Sequence, residues 1–154
     1  MKVLIVADDA EERDILTYVL QRIGLSIVPS GDVARMDAGL PLTAVDLLIV
    51  ATTNQGVNQP KLKKIREITQ APMILISDWL TENETCDLLD IGVDLLLKRP
   101  LSPRVFTRYA QMLLRRAGTV PATVLARVQA GGLVLNPARR SVRVGETVVQ
   151  LTPL

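Results

Sequence analysis

Five short apolar runs, each followed by a segment of helical periodicity, constrain this chain more than any other feature. The runs are Lys2–Ala7, Ser26–Pro29, Asp46–Thr52, Pro72–Ser77 and Asp94–Lys98. KVLIVA, DLLIVAT and PMILIS show no polar alternation. A strand with one wet face would alternate, so continuous runs of this length need cover on both faces. Between them, Ala10–Ile23 places Ile15, Leu16, Val19, Leu20 and Ile23 on one helical face, and Gln59–Gln70 does so with Leu62, Ile65 and Ile68. Gly31–Leu42 has weaker periodicity and reads as a short or irregular helix. Thr81 with Glu84 is a capping box opening a helix to Ile91, which Gly92 ends. Ser102-Pro103 supplies an N-cap and a first-turn proline for a last helix to about Arg116.

Five strands alternating with five helical segments predict an α/β fold, a doubly wound five-stranded parallel sheet. Such sheets place their sites outside the carboxyl ends of the strands, where strand order reverses. The residues there are Asp8, Asp9, Ala51, Thr52, Thr53, Ser77, Asp78, Lys98, Arg99 and Pro100.

Composition narrows the chemistry. The chain has no histidine, which removes His-based triads and most catalytic zinc sites. A single cysteine, Cys86, forms no internal disulfide, fits a reducing cytoplasm, and is expected as a small buried hydrophobe. The apolar start is too short for a signal peptide, and no run approaches the roughly 18 residues of a membrane span. No Gly-rich nucleotide-binding pattern follows any strand.

The net charge of +2 hides a split. Residues 1–114 carry 12 Lys/Arg against 15 Asp/Glu, while residues 115–154 carry 6 against one, Glu146. The character of the chain changes at the same place. A linker is expected over 118–130, then a short antiparallel β segment over 131–154, with strands at Gly132–Leu135, Ser141–Val144 and Thr147–Leu151 and a Gly145-Glu146 hairpin turn.

The acidic pair Asp8-Asp9, the block from Ser77 through Gly92-Val93-Asp94, and Arg99-Pro100 with Ser102-Pro103 resemble response-regulator receiver domains over residues 1–117. The segment GGLVLNPARRSVRVGETVVQLTPL is similar to the start of the winged-helix effector of the OmpR/PhoB subfamily, and it stops at Leu154, where that domain's first helix would begin. The resemblance implies a flavodoxin-like, or CheY-like, receiver that accepts a phosphoryl group on an aspartate ending the third strand. It implies magnesium on the acidic pair and that aspartate. It also implies a Ser/Thr and a lysine that contact the phosphoryl oxygens.

This sequence departs from that set at four positions. The aspartate position falls on Ala51, which can neither attack phosphorus nor bind metal. The lysine position falls on Arg99, a planar fork with different contacts from a point charge. Ser77 is kept, but Asp78 follows it where a small residue is usual. The aromatic switch of the fifth strand is Leu96. Lys98, one residue before Arg99, should point to the opposite face. The acidic pair Asp8 and Asp9 is then vestigial, favouring the first helix's N-terminus or pairing with Arg99, which could alternatively hold Asp78. No metal or other cofactor is expected.

The resemblance also implies a dimer face on the fourth helix, fifth strand and fifth helix. Thr85 and Asp87 fall where basic residues are usual and Leu95 replaces an acid, while Val105, Arg115 and Arg116 complete the candidate face. Trp79 is a candidate contact residue. The reading is an atypical, phosphorylation-independent regulator of transcription without enzymatic activity. Its expected partners are a second copy, another protein, and DNA through an effector domain, but no membrane. Two alternatives stand: a phospho-switch with another acceptor such as Thr52, and a ligand-sensing α/β domain.

Overall fold

A computed structural model describes residues 1–31, 42–53, 57–118, 128–130, 133–136 and 141–150. Its first sheet is built from β1 (Lys2–Ala7), β2 (Ser26–Ser30), β3 (Leu47–Ala51), β4 (Met73–Ile76) and β5 (Leu95–Leu97). All pairings are parallel, and the order is β2-β1-β3-β4-β5. This is the doubly wound α/β sheet the apolar runs require, with its order reversal between β1 and β3. The helices are α1 (Ala10–Gln21), α2 (Gln59–Ile68), α3 (Glu82–Ile91) and α4 (Pro103–Arg116), with a 3-10 turn at Leu42–Ala44. The irregular helix expected over Gly31–Leu42 falls almost wholly outside the described residues.

Side-chain alternation splits each central strand between two cores. Val3, Ile5 and Ala7 of β1, with Leu47, Ile49 and Ala51 of β3, face Leu16 and Leu20 of α1 and Phe106, Ala110, Leu113 and Leu114 of α4. Leu4, Val6, Leu48, Val50, Met73 and Leu75 face Leu62 and Ile65 of α2 and Leu88 of α3. Burial on both faces explains the unbroken apolar runs. Ile15 breaks the helical-face expectation: it is 54% exposed, so the buried stripe of α1 is Leu16 and Leu20, with Val19 and Ile23 packed beside it.

The helix ends follow local chemistry. Asp9, Asn58, Thr81 and Ser102 each accept a backbone N–H from the third residue on, and Thr81 with Glu84 completes the reciprocal box. Gly92 closes α3 with φ at 114°. A Cβ there would also meet Arg66 Nε at 2.9 Å, so glycine is required twice over.

Arg66 ties the opposite edge of the sheet together. Its guanidinium donates to the carbonyls of Thr69, Ala71 and Gly92 and to the Asp94 carboxylate, which itself accepts the Met73 N–H. Burial lowers its pKa against the opposing pull of Asp94.

A second sheet is antiparallel, in the order β6 (Val128–Ala130), β7 (Leu133–Asn136), β8 (Ser141–Val144) and β9 (Thr147–Gln150). It has four strands where three were expected. Val128–Ala130 lies inside the expected linker, but its backbone pairs with Leu133–Leu135. Val144 pairs with Thr147 across a two-residue turn in which Gly145 has φ at 60°, as the Gly-Glu pair predicts.

Candidate functional site

The carboxyl edge of the sheet gathers the residues singled out from sequence, with one addition. The strands β1, β3, β4 and β5 end at Ala7, Ala51, Ile76 and Leu97, and the next residues form the site. Ala51 is fully buried in the core shared with α1 and α4. A methyl group therefore stands as part of the apolar packing at the position where the resemblance implies an aspartate. Thr52, 5% exposed, donates its hydroxyl to Asp8 Oδ2 at 3.1 Å. Thr53 is exposed, and Ser77 is buried with its N–H on the Leu97 carbonyl.

Arg99 organises this edge. Its Nε and Nη2 hold both oxygens of Glu12 at 2.8 and 2.7 Å, a bidentate pair linking β5 to α1. Its Nη1 reaches Asp78 Oδ2 at 3.0 Å and the Thr52 carbonyl at 3.2 Å. Its backbone N–H donates to Asp78 Oδ1 at 2.7 Å. One side chain thus joins the ends of β3, β4 and β5 to the first turn of α1. The Arg99-Pro100 peptide is cis.

Of the three pairings open to Arg99 from sequence, the structure has Asp78 but neither Asp8 nor Asp9. Asp9 is instead the N-cap of α1, accepting the Glu12 N–H at 2.7 Å, and Asp8 accepts from Thr52. Glu12, the principal partner, was missed. Acids in a first helical turn are favoured by the helix dipole alone, which hid the role. The signal was the run Asp8-Asp9-Ala10-Glu11-Glu12, four carboxylates in five residues. Arg13, also missed, donates to the Ala7 carbonyl.

Electrostatics follow this geometry. The bonds to Glu12 raise the Arg99 pKa above its usual value, against desolvation, with Asp78 adding to the rise. The backbone N–H of Arg99 leads the forces holding the Asp78 carboxyl below the usual aspartate range. A depressed folded pKa gives stability that is present above the unfolded value, about 3.9, and lost as pH falls through the folded value. Thermal melts taken downward from about pH 5 should therefore fall less steeply for Asp78→Asn than for the parent. Glu84, lowered by its Thr81 contacts, keeps its own share in both proteins.

The remaining residues take simpler places. Lys98 and Pro100 are exposed, and Leu96 packs against the α2/α3 core, opposite Leu95 and Leu97. Val105 is 49% exposed, Arg115, Arg116 and Asp87 are exposed, and Thr85 is half-buried with its hydroxyl on the Thr81 carbonyl. Trp79 is 65% exposed. Cys86, expected inside, is exposed, because Leu88 takes the inward position on α3. Among the described residues no group of three or more potential ligands could hold a metal ion, and no helix is long and apolar enough to cross a membrane.

No family model matches the chain. It is similar to the phosphate regulon transcriptional regulatory protein PhoB of Pseudomonas aeruginosa, 24% identical over 155 residues covering 98% of this chain and 67% of that protein. It is also similar to the alkaline phosphatase synthesis transcriptional regulatory protein SphR of Synechococcus elongatus, 26% identical over 166 residues covering 99% of this chain and 63% of that protein. The chain thus spans about two thirds of the length of these relatives. Among solved structures, the BeF3-activated receiver domain of Klebsiella pneumoniae RstA superposes with a TM-score of 0.65 at 18% identity, covering 75% of this chain and 99% of that one. A response regulator receiver domain protein from Methanospirillum hungatei gives 0.63 at 17% identity, covering 74% and 93%. The chain thus has the CheY-like fold of these solved receiver domains and is similar in sequence to transcriptional regulatory proteins of the PhoB and SphR kind.

Proposed function

We propose that this receiver works without phosphorylation, as the dimerisation or protein-docking module of a transcriptional regulator. The single observation that carries this reading is Arg99, which occupies the carboxyl edge as a resident cation satisfied by Glu12, Asp78 and the Thr52 carbonyl. A phosphoryl-accepting site needs a carboxylate nucleophile and an exchangeable divalent ion beside it. Here the nucleophile position is a buried methyl, and two neighbouring carboxylates, Glu12 and Asp78, are already held by one guanidinium. Thr52 is a poor substitute acceptor, being buried with its hydroxyl bonded to Asp8. The domain performs no catalysis and takes no cofactor in this reading. It acts in the cytoplasm, and DNA is bound by an effector domain to which the antiparallel sheet β6–β9 contributes the opening strands.

A two-fold dimer across α3, β5 and α4 is supported by charge. The exposed side of α3 carries Glu82, Asp87 and Asp90, and that of α4 carries Arg104, Arg108, Arg115 and Arg116. Between them β5 is a sheet edge with an unpaired side. A symmetric pairing sets each acidic helix of one copy against the basic helix of the other. Light scattering without phosphodonor should give twice the monomer mass, unchanged by acetyl phosphate. A strict monomer at high concentration, or a dimer seen only with acetyl phosphate, would refute this role.

Restoring the missing carboxylate should not restore a switch. Ala51→Asp places a charge among Ala7, Ile76 and Phe106, beside Asp8, and should lower the melting temperature. Arg99, Asp78 and Leu96 stay in place, so acetyl phosphate should leave the variant's oligomeric state unchanged by light scattering.

A further inference from the structure

A groove of about 990 Å³ runs between the end of α1 and the length of α4. Its apolar walls include Ile23, Leu25, Val105 and Met112, and its cations are Arg104, Arg108 and Arg115. No acidic side chain lines it. Among the described residues none of the three arginines makes an ion pair, and all three are exposed. An apolar trough with only positive charge on its walls is a binding surface of one polarity.

We propose that this groove binds an acidic amphipathic helix of a partner protein. The arginines stand four and seven residues apart, which on a helix is about 6 Å and about 10 Å along the axis. A helix lying alongside meets them with carboxylates at i, i+4 and i+11, and guanidinium–carboxylate forks are the strongest pairings open to these side chains. Its apolar stripe then covers Val105 and Met112, the helix-in-groove mode of recognition. A second copy seated by its own α4 would set arginine against arginine. Nucleic acid would meet an apolar floor with Tyr109 as its one aromatic lining residue, a poor stacking platform. Arg104, Val105, Arg108 and Arg115 also belong to the face proposed for self-association, where they would meet the acidic α3 of a second copy, so a helix bound here competes with the dimer. The groove itself does not depend on that reading.

The test uses the whole chain and a fluorescein-labelled synthetic helix of about 18 residues, with leucines in a heptad stripe and glutamates at i, i+4 and i+11. Anisotropy should show saturable binding that weakens with salt and is lost when the glutamates are lysines. The double variant Arg104→Glu/Arg108→Glu, altered only at exposed positions, should melt like the parent and bind at least about tenfold more weakly. Absence of saturable binding, or binding indifferent to the double variant, overturns the proposal. So does tighter arginine-dependent binding to duplex DNA or phosphatidylserine vesicles than to the peptide. A double variant that loses self-association yet binds the peptide normally also overturns it, and assigns these arginines to the dimer.

Discussion

Arg99→Ala is expected to cost about 2–3 kcal/mol of stability at neutral pH and to leave a receiver no more able to be phosphorylated. The substitution removes the bidentate pair to Glu12, the bond to Asp78 Oδ2 and the bond to the Thr52 carbonyl. The side chains are only 18–32% exposed, so screening trims the loss without abolishing it. Asp78 keeps the bond from the backbone N–H of residue 99 but loses the guanidinium that helps hold its carboxyl down, so its folded pKa rises relative to the parent. A raised carboxylate pKa is a penalty at neutral pH that protonation relieves, so the deficit against the parent should shrink as pH falls through about 4. Chemical denaturation at neutral and acidic pH checks this; a deficit that grows on acidification would contradict it. Arg99→Lys should recover only part of the loss, because a single ammonium cannot bridge Glu12 in two bonds while reaching Asp78. Magnesium and chelators should leave the melting temperature of the parent unchanged, since the resident cation is a side chain.

Arg66→Ala should be the more damaging change, at about 3–4 kcal/mol, or roughly 10 °C in melting temperature. Arg66 is 16% exposed and satisfies three carbonyls at once, two of them on the buried residues Thr69 and Ala71. Losing the guanidinium leaves those acceptors without a partner and frees Asp94 from its cation, while the space beside Gly92 opens. Equilibrium denaturation measures the loss. A cost below about 1 kcal/mol would mean that water replaces the arginine at little penalty. Because Arg66 sits at the opposite edge from Arg99, the two losses should add.

The apolar runs make the strand number and type of the first sheet legible in the sequence, because strands buried on both faces and alternating with helices call for a covered parallel sheet. Caps at Thr81, Ser102 and Gly92 were equally legible, since each has a local cause. What escaped is what tertiary packing decides. Ile15 and Val19 look equivalent on a helical wheel, yet Ile15 is exposed and Val19 is packed on the core. Val128–Ala130 is a strand for want of nothing local, only because Leu133–Leu135 lies beside it. At the site, Ala51, Ser77, Asp78 and Arg99 could be placed from strand ends, but Glu12 could not be chosen over Asp8 or Asp9. That choice depends on the reach of an arginine across 87 residues of chain. Arg66 carried no signal beyond a basic residue near the end of a helix, where a dipole contact is the ordinary explanation.

A carboxyl edge built around a resident arginine should take no phosphoryl group. Incubating the chain with acetyl phosphate and magnesium, then measuring intact mass, tests it most directly. One unmodified mass is expected throughout; a stable adduct with the mass of one phosphoryl group on residues 1–117 would contradict a receiver that works without phosphorylation.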